Sequence, residues 1–100
     1  MNAACASSLA AVDLGARGLR ERKFDLALAG AVDDDLSAAS YLLFSSLGAL
    51  SAKGSFPFDE RADGMVLGEG AGVILLKRFD DAIRDGDKIY SYLQSYLPLR

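Results

Sequence analysis

The sequence predicts an α/β fold, and three observations carry that reading. Apolar residues recur at helical spacing from about Ser7 to Lys23, short apolar runs bounded by charge follow at Asp25–Val32 and Val73–Lys77, and helical stretches separate or follow those runs. Helices alternating with short strands are the pattern of layered α/β domains.

In the first helical stretch, Leu9, Val12, Ala16 and Leu19 form one apolar face, with Asp13, Arg17, Arg20 and Glu21 opposite. Asp13 and Arg17 stand four residues apart, close enough to pair on an exposed helix. Ser7 or Ser8 is placed to cap its N-terminus, unless a turn starts the helix earlier. Asp25–Val32 has the length and composition of a strand buried on both faces, as in a parallel sheet. Helix followed by strand is half of a βαβ crossover whose first strand lies outside this sequence. Asp33-Asp34-Asp35 is a polar turn. Ala38–Leu47 is a second helix, with Leu42, Leu43 and Phe44 as core candidates. Gly48 to Gly64 reads as irregular, and a long connection of that kind usually carries function or disorder. Gly68–Gly72 continues that loop character. Val73–Lys77 is then a strand and Phe79–Asp85 a short helix, with Asp80 and Asp81 in its first turn and Gly86 as its stop. Lys88–Tyr92 reads as one more strand, and Tyr90, Tyr92 and Tyr96 as a packing face.

Composition narrows the chemistry. The 100 residues are 51% hydrophobic and 25% charged, with mean hydropathy +0.17, enough for a packed core. A net charge of −3 offers no basic field for a phosphate backbone, so nucleic acid is not an expected partner. The longest apolar run, Gly70–Leu76, is far short of a membrane span, and no signal segment precedes Cys5; a cytoplasmic protein is expected. The absence of histidine removes the commonest general base and metal ligand, and one cysteine excludes an internal disulfide and a multi-cysteine zinc site. The three aspartates at 33–35 lack the spaced oxygen ligands of a calcium loop, so no metal is expected.

Cys5 is the residue with the most chemistry. It sits among Ala3, Ala4, Ala6, Ser7 and Ser8, directly before an amphipathic helix. Small neighbours permit a sharp turn and let a substrate approach, as in the nucleophile elbow of serine hydrolases. A helix N-terminus favours thiolate, and its N–H groups suit an oxyanion. Cys5 therefore reads as an acyl-accepting nucleophile; the alternative is a small buried hydrophobe. The block Gly68-Glu69-Gly70-Ala71-Gly72 fits neither the Walker A loop nor the dinucleotide fingerprint. Close backbone packing before a buried strand is the favoured reading, with glycines skirting a substrate as the alternative. Glu69 reads as a carboxylate accepting backbone N–H bonds rather than as an acid or base. Pro57-Phe58-Asp59 and Asp63-Gly64 read as turns in which aspartate bonds nearby backbone.

Five ordered blocks give a family resemblance. Asn2-Ala3-Ala4-Cys5-Ala6-Ser7-Ser8-Leu9 resembles the active-site cysteine segment of β-ketoacyl synthases of the polyketide and polyunsaturated-fatty-acid type. Asp25–Val32, Phe44–Ser51, Pro57–Gly64 and Gly68–Gly72 resemble the family's D-x-A-L-A-G-G-V, F-S-x-x-x-A-L-S, P-F-D-x-x-A-D-G and G-E-G-A-G blocks. The resemblance spans residues 1–90, as a central segment from the N-terminal half; residues 91–100 form an off-pattern tail.

The resemblance implies a thiolase-like fold, layered α-β-α-β-α when complete, of which this chain is a fragment. It implies an acyltransferase of fatty-acid or polyketide biosynthesis that condenses an acyl-cysteine with a malonyl thioester by decarboxylation. Cys5 would be catalytic, Phe44 would lie near the acyl pocket, and Gly68, Glu69, Gly70 and Gly72 would support the site. No cofactor is implied beyond the phosphopantetheine of an acyl carrier protein, which would be the partner, along with a second copy in a homodimer. The sequence departs from the pattern at Asn2, where aspartate is usual, and at Ala31, where a second glycine is usual. The family's two downstream histidines have no counterpart in a chain without histidine, so the chain alone is expected to be inactive, as a truncated segment or a broken reading frame. Two other readings stand beside this one: a non-catalytic fragment or assembly component that folds only with a partner, and an unrelated cysteine hydrolase, which lacks the usual base.

Overall fold

The computed structural model describes residues 2–94. Its elements are α1 (Ser7–Arg20), β1 (Leu26–Asp33), α2 (Ala38–Ser46), β2 (Gly70–Lys77) and α3 (Phe79–Asp85), with β1 and β2 paired in a two-stranded sheet. Two compact units divide the chain. One takes the residues up to Gly30 and those from Val73; the other is Ala31–Gly72.

In the first unit, α1 forms where the apolar spacing predicts, but it stops at Arg20. Arg22 turns left-handed (φ 55°), and the Lys23 N–H reaches back to the Gly18 carbonyl at 2.9 Å, closing the helix end. Glycine at position 18 admits the Phe24 ring against the helix, since a Cβ there would collide with the ring tip. Gly15 lies beside Ala27 of β1 and Leu76 of β2, so α1 covers one face of the sheet through small side chains. Of the predicted apolar face, Leu19 is buried, Val12 and Ala16 are half-buried, and Leu9 is exposed. The buried residues of this unit are Gly18, Leu19, Ala29, Asp81 and Ala82.

Arg78 ties the unit together. Its guanidinium donates to the Leu19 and Phe24 carbonyls, at 3.1 and 2.8 Å, and pairs with Asp25 and Asp81. Asp81 in turn accepts from Arg84. These partners raise the Arg78 pKa, with Asp25 contributing most; the Arg78 bond is the main cause of the lowered Asp81 pKa. The contact between Asp25, just before β1, and Arg78, just after β2, puts the start of one strand beside the end of the other. The strands therefore run antiparallel, which corrects the parallel arrangement expected for Asp25–Val32. That strand is also not buried on both faces. Ala27 and Ala29 face α1, whereas Leu26 and Leu28 on the alternate face are exposed.

α3 ends at Gly86, whose φ of 71° and N–H bond to Ile83 make the expected left-handed stop. Lys77 bridges to Asp85 and Asp87 beside it. Lys88–Tyr92 is not a strand. It finds no strand to pair with among the described residues, and Tyr90 and Tyr92 are exposed rather than packed, Tyr90 carrying the Lys88 ammonium at 4.7 Å. Tyr96 and the end of the predicted tail lie outside the described residues.

The second unit contains no buried residue. Ser37 caps α2, its hydroxyl accepting from the Ser40 N–H at 3.2 Å, and Asp35 accepts from the Ser37 N–H and the Ser40 hydroxyl. These two serines hold the Asp35 carboxyl below its usual range, Ser40 contributing most. Leu42 and Leu43, expected in a core, are exposed, and Phe44 is half-buried. The long connection after α2 is organised by backbone contacts: Ser51 N–H donates to the Met65 carbonyl and Met65 N–H to the Ala49 carbonyl, both at 2.9 Å. Asp59 makes the predicted turn, whereas Asp63 bonds a distant side chain in place of nearby backbone. Asp59 accepts from the Arg61 backbone at 2.9 Å, and Asp63 accepts from the Ser51 hydroxyl.

Candidate active site

Cys5 lies in the turn that leads into α1, exposed. Among the described residues nothing buries the thiol as a small hydrophobe. Ala4, immediately before it, is left-handed (φ 50°), a conformation that costs an L-residue about 1–2 kcal/mol. Hydrogen bonds hold the turn in this shape. The Asn2 Oδ1 accepts from the Ala4 N–H at 2.9 Å, and the Ser7 hydroxyl accepts from the Ala3 N–H at 2.9 Å while donating to the Ala4 carbonyl at 2.7 Å. The N–H groups of Ala6 and Ser7 donate to the Ala3 and Ala4 carbonyls, each at 3.1 Å.

One expectation changes here. Ser7 is the first helical residue and not a cap; Ala6 occupies the cap position without a side-chain bond. The Ser7 hydroxyl bonds backwards because the left-handed Ala4 brings the preceding backbone within its reach. Asn2 in place of aspartate keeps the function seen here, since either side chain presents an Oδ acceptor to the Ala4 N–H.

The other site candidates belong to the second unit. Phe44 sits in the last turn of α2, half-buried. Glu69 accepts from the Leu36 N–H at 3.4 Å, a long bond that fits the structural reading of this carboxylate. Gly70 and Gly72 are not loop residues, because β2 begins at Gly70. The close packing expected of Gly68, Gly70 and Gly72 is not made: a Cβ at any of them would meet nothing within 4 Å. What sequence reasoning missed is the role of Asn2 and Ser7. The signal was their placement two residues before and three after Ala4, readable only once Ala4 is known to be left-handed.

Among the described residues no helix is long and apolar enough to cross a membrane. No three or more of their histidine, cysteine, aspartate and glutamate side chains gather as metal ligands.

The chain is similar to known proteins over most of its length. Residues 1–82 match the family described as beta-ketoacyl synthase, N-terminal domain. A phenolphthiocerol/phthiocerol polyketide synthase component of Mycobacterium tuberculosis is 47% identical over 95 residues, covering 94% of this chain and 6% of that protein. A highly reducing polyketide synthase of Leptosphaeria maculans is 46% identical, covering 94% of this chain and 4% of its own length. The ketosynthase from module 6 of the bacillaene synthase of Bacillus subtilis superposes with a TM-score of 0.80 at 42% identity, covering 86% of this chain and 16% of that one. The chain thus spans a small part of the relatives it matches, with the thiolase-like α/β architecture of that part. Sequence and fold together show that it belongs to the beta-ketoacyl synthase family, within the N-terminal domain.

Proposed function

We propose that this chain is the cysteine-bearing part of a ketosynthase from a polyketide assembly system. The observation that carries this reading is an exposed thiol on a tightly bonded turn before α1, inside the matched segment. Cys5 thiolate attacks the carbonyl of an acyl thioester on the phosphopantetheine arm of an acyl carrier protein. The carbonyl–sulfur bond to pantetheine breaks, the pantetheine sulfur leaves with the electron pair and takes the proton that the Cys5 thiol gave up, and the acyl group stays on Cys5. A malonyl thioester then loses carbon dioxide, its carbanion attacks the acyl-cysteine, and Cys5 is released as the β-ketoacyl thioester forms.

In this reading Phe44 borders the acyl chain, and Gly68, Glu69, Gly70 and Gly72 shape the surroundings without chemistry. Residues 1–90 are the ketosynthase portion, 91–100 a tail. The working enzyme is a cytoplasmic homodimer served by the carrier protein. With no histidine in the sequence, this chain supplies the acyl acceptor and not the groups that activate malonate.

The test is to incubate the chain with an acyl-pantetheine thioester and map the added mass. Acylation of Cys5, lost in Cys5→Ala, is expected, together with no β-ketoacyl product when malonyl thioester is added. Absence of acylation would sink the acceptor role, and product formation would overturn the argument from histidine.

A second reading has its own support. Leu28, Val73 and Leu75 in the first unit, and Leu42 and Leu47 in the second, are each more than 60% exposed, side chains that a partner surface would cover. The chain then folds fully only against a partner. Sedimentation with circular dichroism decides this: a cooperatively unfolding monomer would count against it.

A further inference from the structure

We infer that Ser7 and Asn2 are positioning residues for Cys5, an inference that rests on the acyl-acceptor reading above. The residue before Cys5, Ala4, is held at a φ of 50°, which L-residues seldom adopt unaided. Both polar groups of its backbone are occupied by side chains: its N–H by Asn2 Oδ1 at 2.9 Å and its carbonyl by the Ser7 hydroxyl at 2.7 Å. The same hydroxyl takes the Ala3 N–H at 2.9 Å, so one oxygen closes the loop from residue 3 to residue 7 around the cysteine. The direction in which Cys5 leaves the backbone is fixed by the conformation of Ala4. Without the hydroxyl, the Ala3 N–H loses its acceptor, and the Ala4 carbonyl keeps only the 3.1 Å bond from the Ser7 N–H. Ala4 is then free to return to an ordinary conformation and turn the thiol away. Ser7 is thus engaged in shape, as acceptor and donor at once, and has no hydroxyl proton to lend to the reaction.

The test is the rate at which iodoacetamide alkylates Cys5 in the full chain, read by mass spectrometry against an unfolded peptide of the same Cys5 segment. The wild-type thiol reacts faster than the peptide. Ser7→Ala falls toward the peptide rate by about three- to fivefold, within what the strain released at Ala4 allows. Ser7→Thr, which keeps the hydroxyl, stays near wild type, and Ser8→Ala, a neighbouring serine outside these bonds, is unchanged. Asn2→Ala slows the reaction and Asn2→Asp restores it. This pair lies outside α1, so it decides the matter even if Ser7→Ala unfolds the helix start. A fast wild-type thiol unmoved by Ser7→Ala and Asn2→Ala would overturn the positioning role alone. A wild-type thiol no faster than the peptide would overturn the acceptor reading, and the positioning role with it.

Discussion

The two units of this chain are held by different physics. The unit built on α1, β1, β2 and α3 contains every buried residue among those described, and a half-buried guanidinium, Arg78, ties α1, the start of β1 and α3. Ala31–Gly72 contains none. It keeps its shape through backbone bridges, serine and aspartate turns and glycines in special conformations, while α2 presents Leu42 and Leu43 to solvent. Apolar composition alone therefore does not place a residue in a core; an opposing surface has to be present, and among the described residues none covers Leu42 and Leu43. Packing substitutions are expected to damage the first unit and backbone substitutions the second.

The largest expected effect follows from packing. Leu19 is 4% exposed at the heart of the first unit. Leu19→Ala removes that contact and leaves a cavity, at about 2–4 kcal/mol, read as a drop in the denaturation midpoint. A loss below about 1 kcal/mol would mean that the unit has no true core.

Next comes a backbone test of the second unit. Gly64 has a φ of 155°, and a Cβ there would stand 2.6 Å from the Ser51 nitrogen and 2.7 Å from the Leu50 carbonyl carbon. Neither neighbour can swing aside. Gly64→Ala is expected to cost roughly 2–3 kcal/mol locally, with faster amide exchange at Ser51 and Met65 and little change in β2 or α3. Faster exchange throughout the chain would show that the two units unfold as one.

Acid should loosen the end of α3 before it disturbs the core. Arg84 foremost, then Lys77, lower the Asp85 pKa from 3.8 to about 2. Because the folded value lies below the unfolded one, the stabilisation is present above the ordinary value and fades as pH falls toward about 2. Asp85→Asn removes Asp85's share of that acid transition and leaves the midpoint nearly unchanged at neutral pH, as exposed pairs contribute little. An acid transition identical in wild type and variant would assign the effect to other carboxylates.

Much of this architecture was legible in the sequence, and the failures are physical. Periodicity located α1, first-turn aspartates and a stop glycine located α3, and apolar runs bounded by charge located both strands, since these signals are local. The direction of β1 against β2, the guanidinium that bonds Asp25 from 53 residues away, and the missing strand at Lys88–Tyr92 depend on partners distant in the chain. Residue type does not announce them. The place of Cys5 just before a helix was legible because an amphipathic pattern follows it. The turn that holds it was not, because no residue type in Ala3-Ala4-Cys5 signals a left-handed alanine.

The smallest expected effect sharpens the comparison most. Leu42 lies in α2 and is 71% exposed. In a packed helix, replacing leucine with serine would remove a buried side chain and leave an unmatched hydroxyl, a loss of several kcal/mol. Here the substitution changes helix propensity by a few tenths and gives up little burial, so Leu42→Ser should shift the midpoint by no more than about 0.5 kcal/mol. Solubility should improve, because an exposed apolar side chain is replaced by a polar one. A loss approaching that of Leu19→Ala would show that the chain buries α2 in solution, and the contrast between a packed unit and a turn-built one would fall.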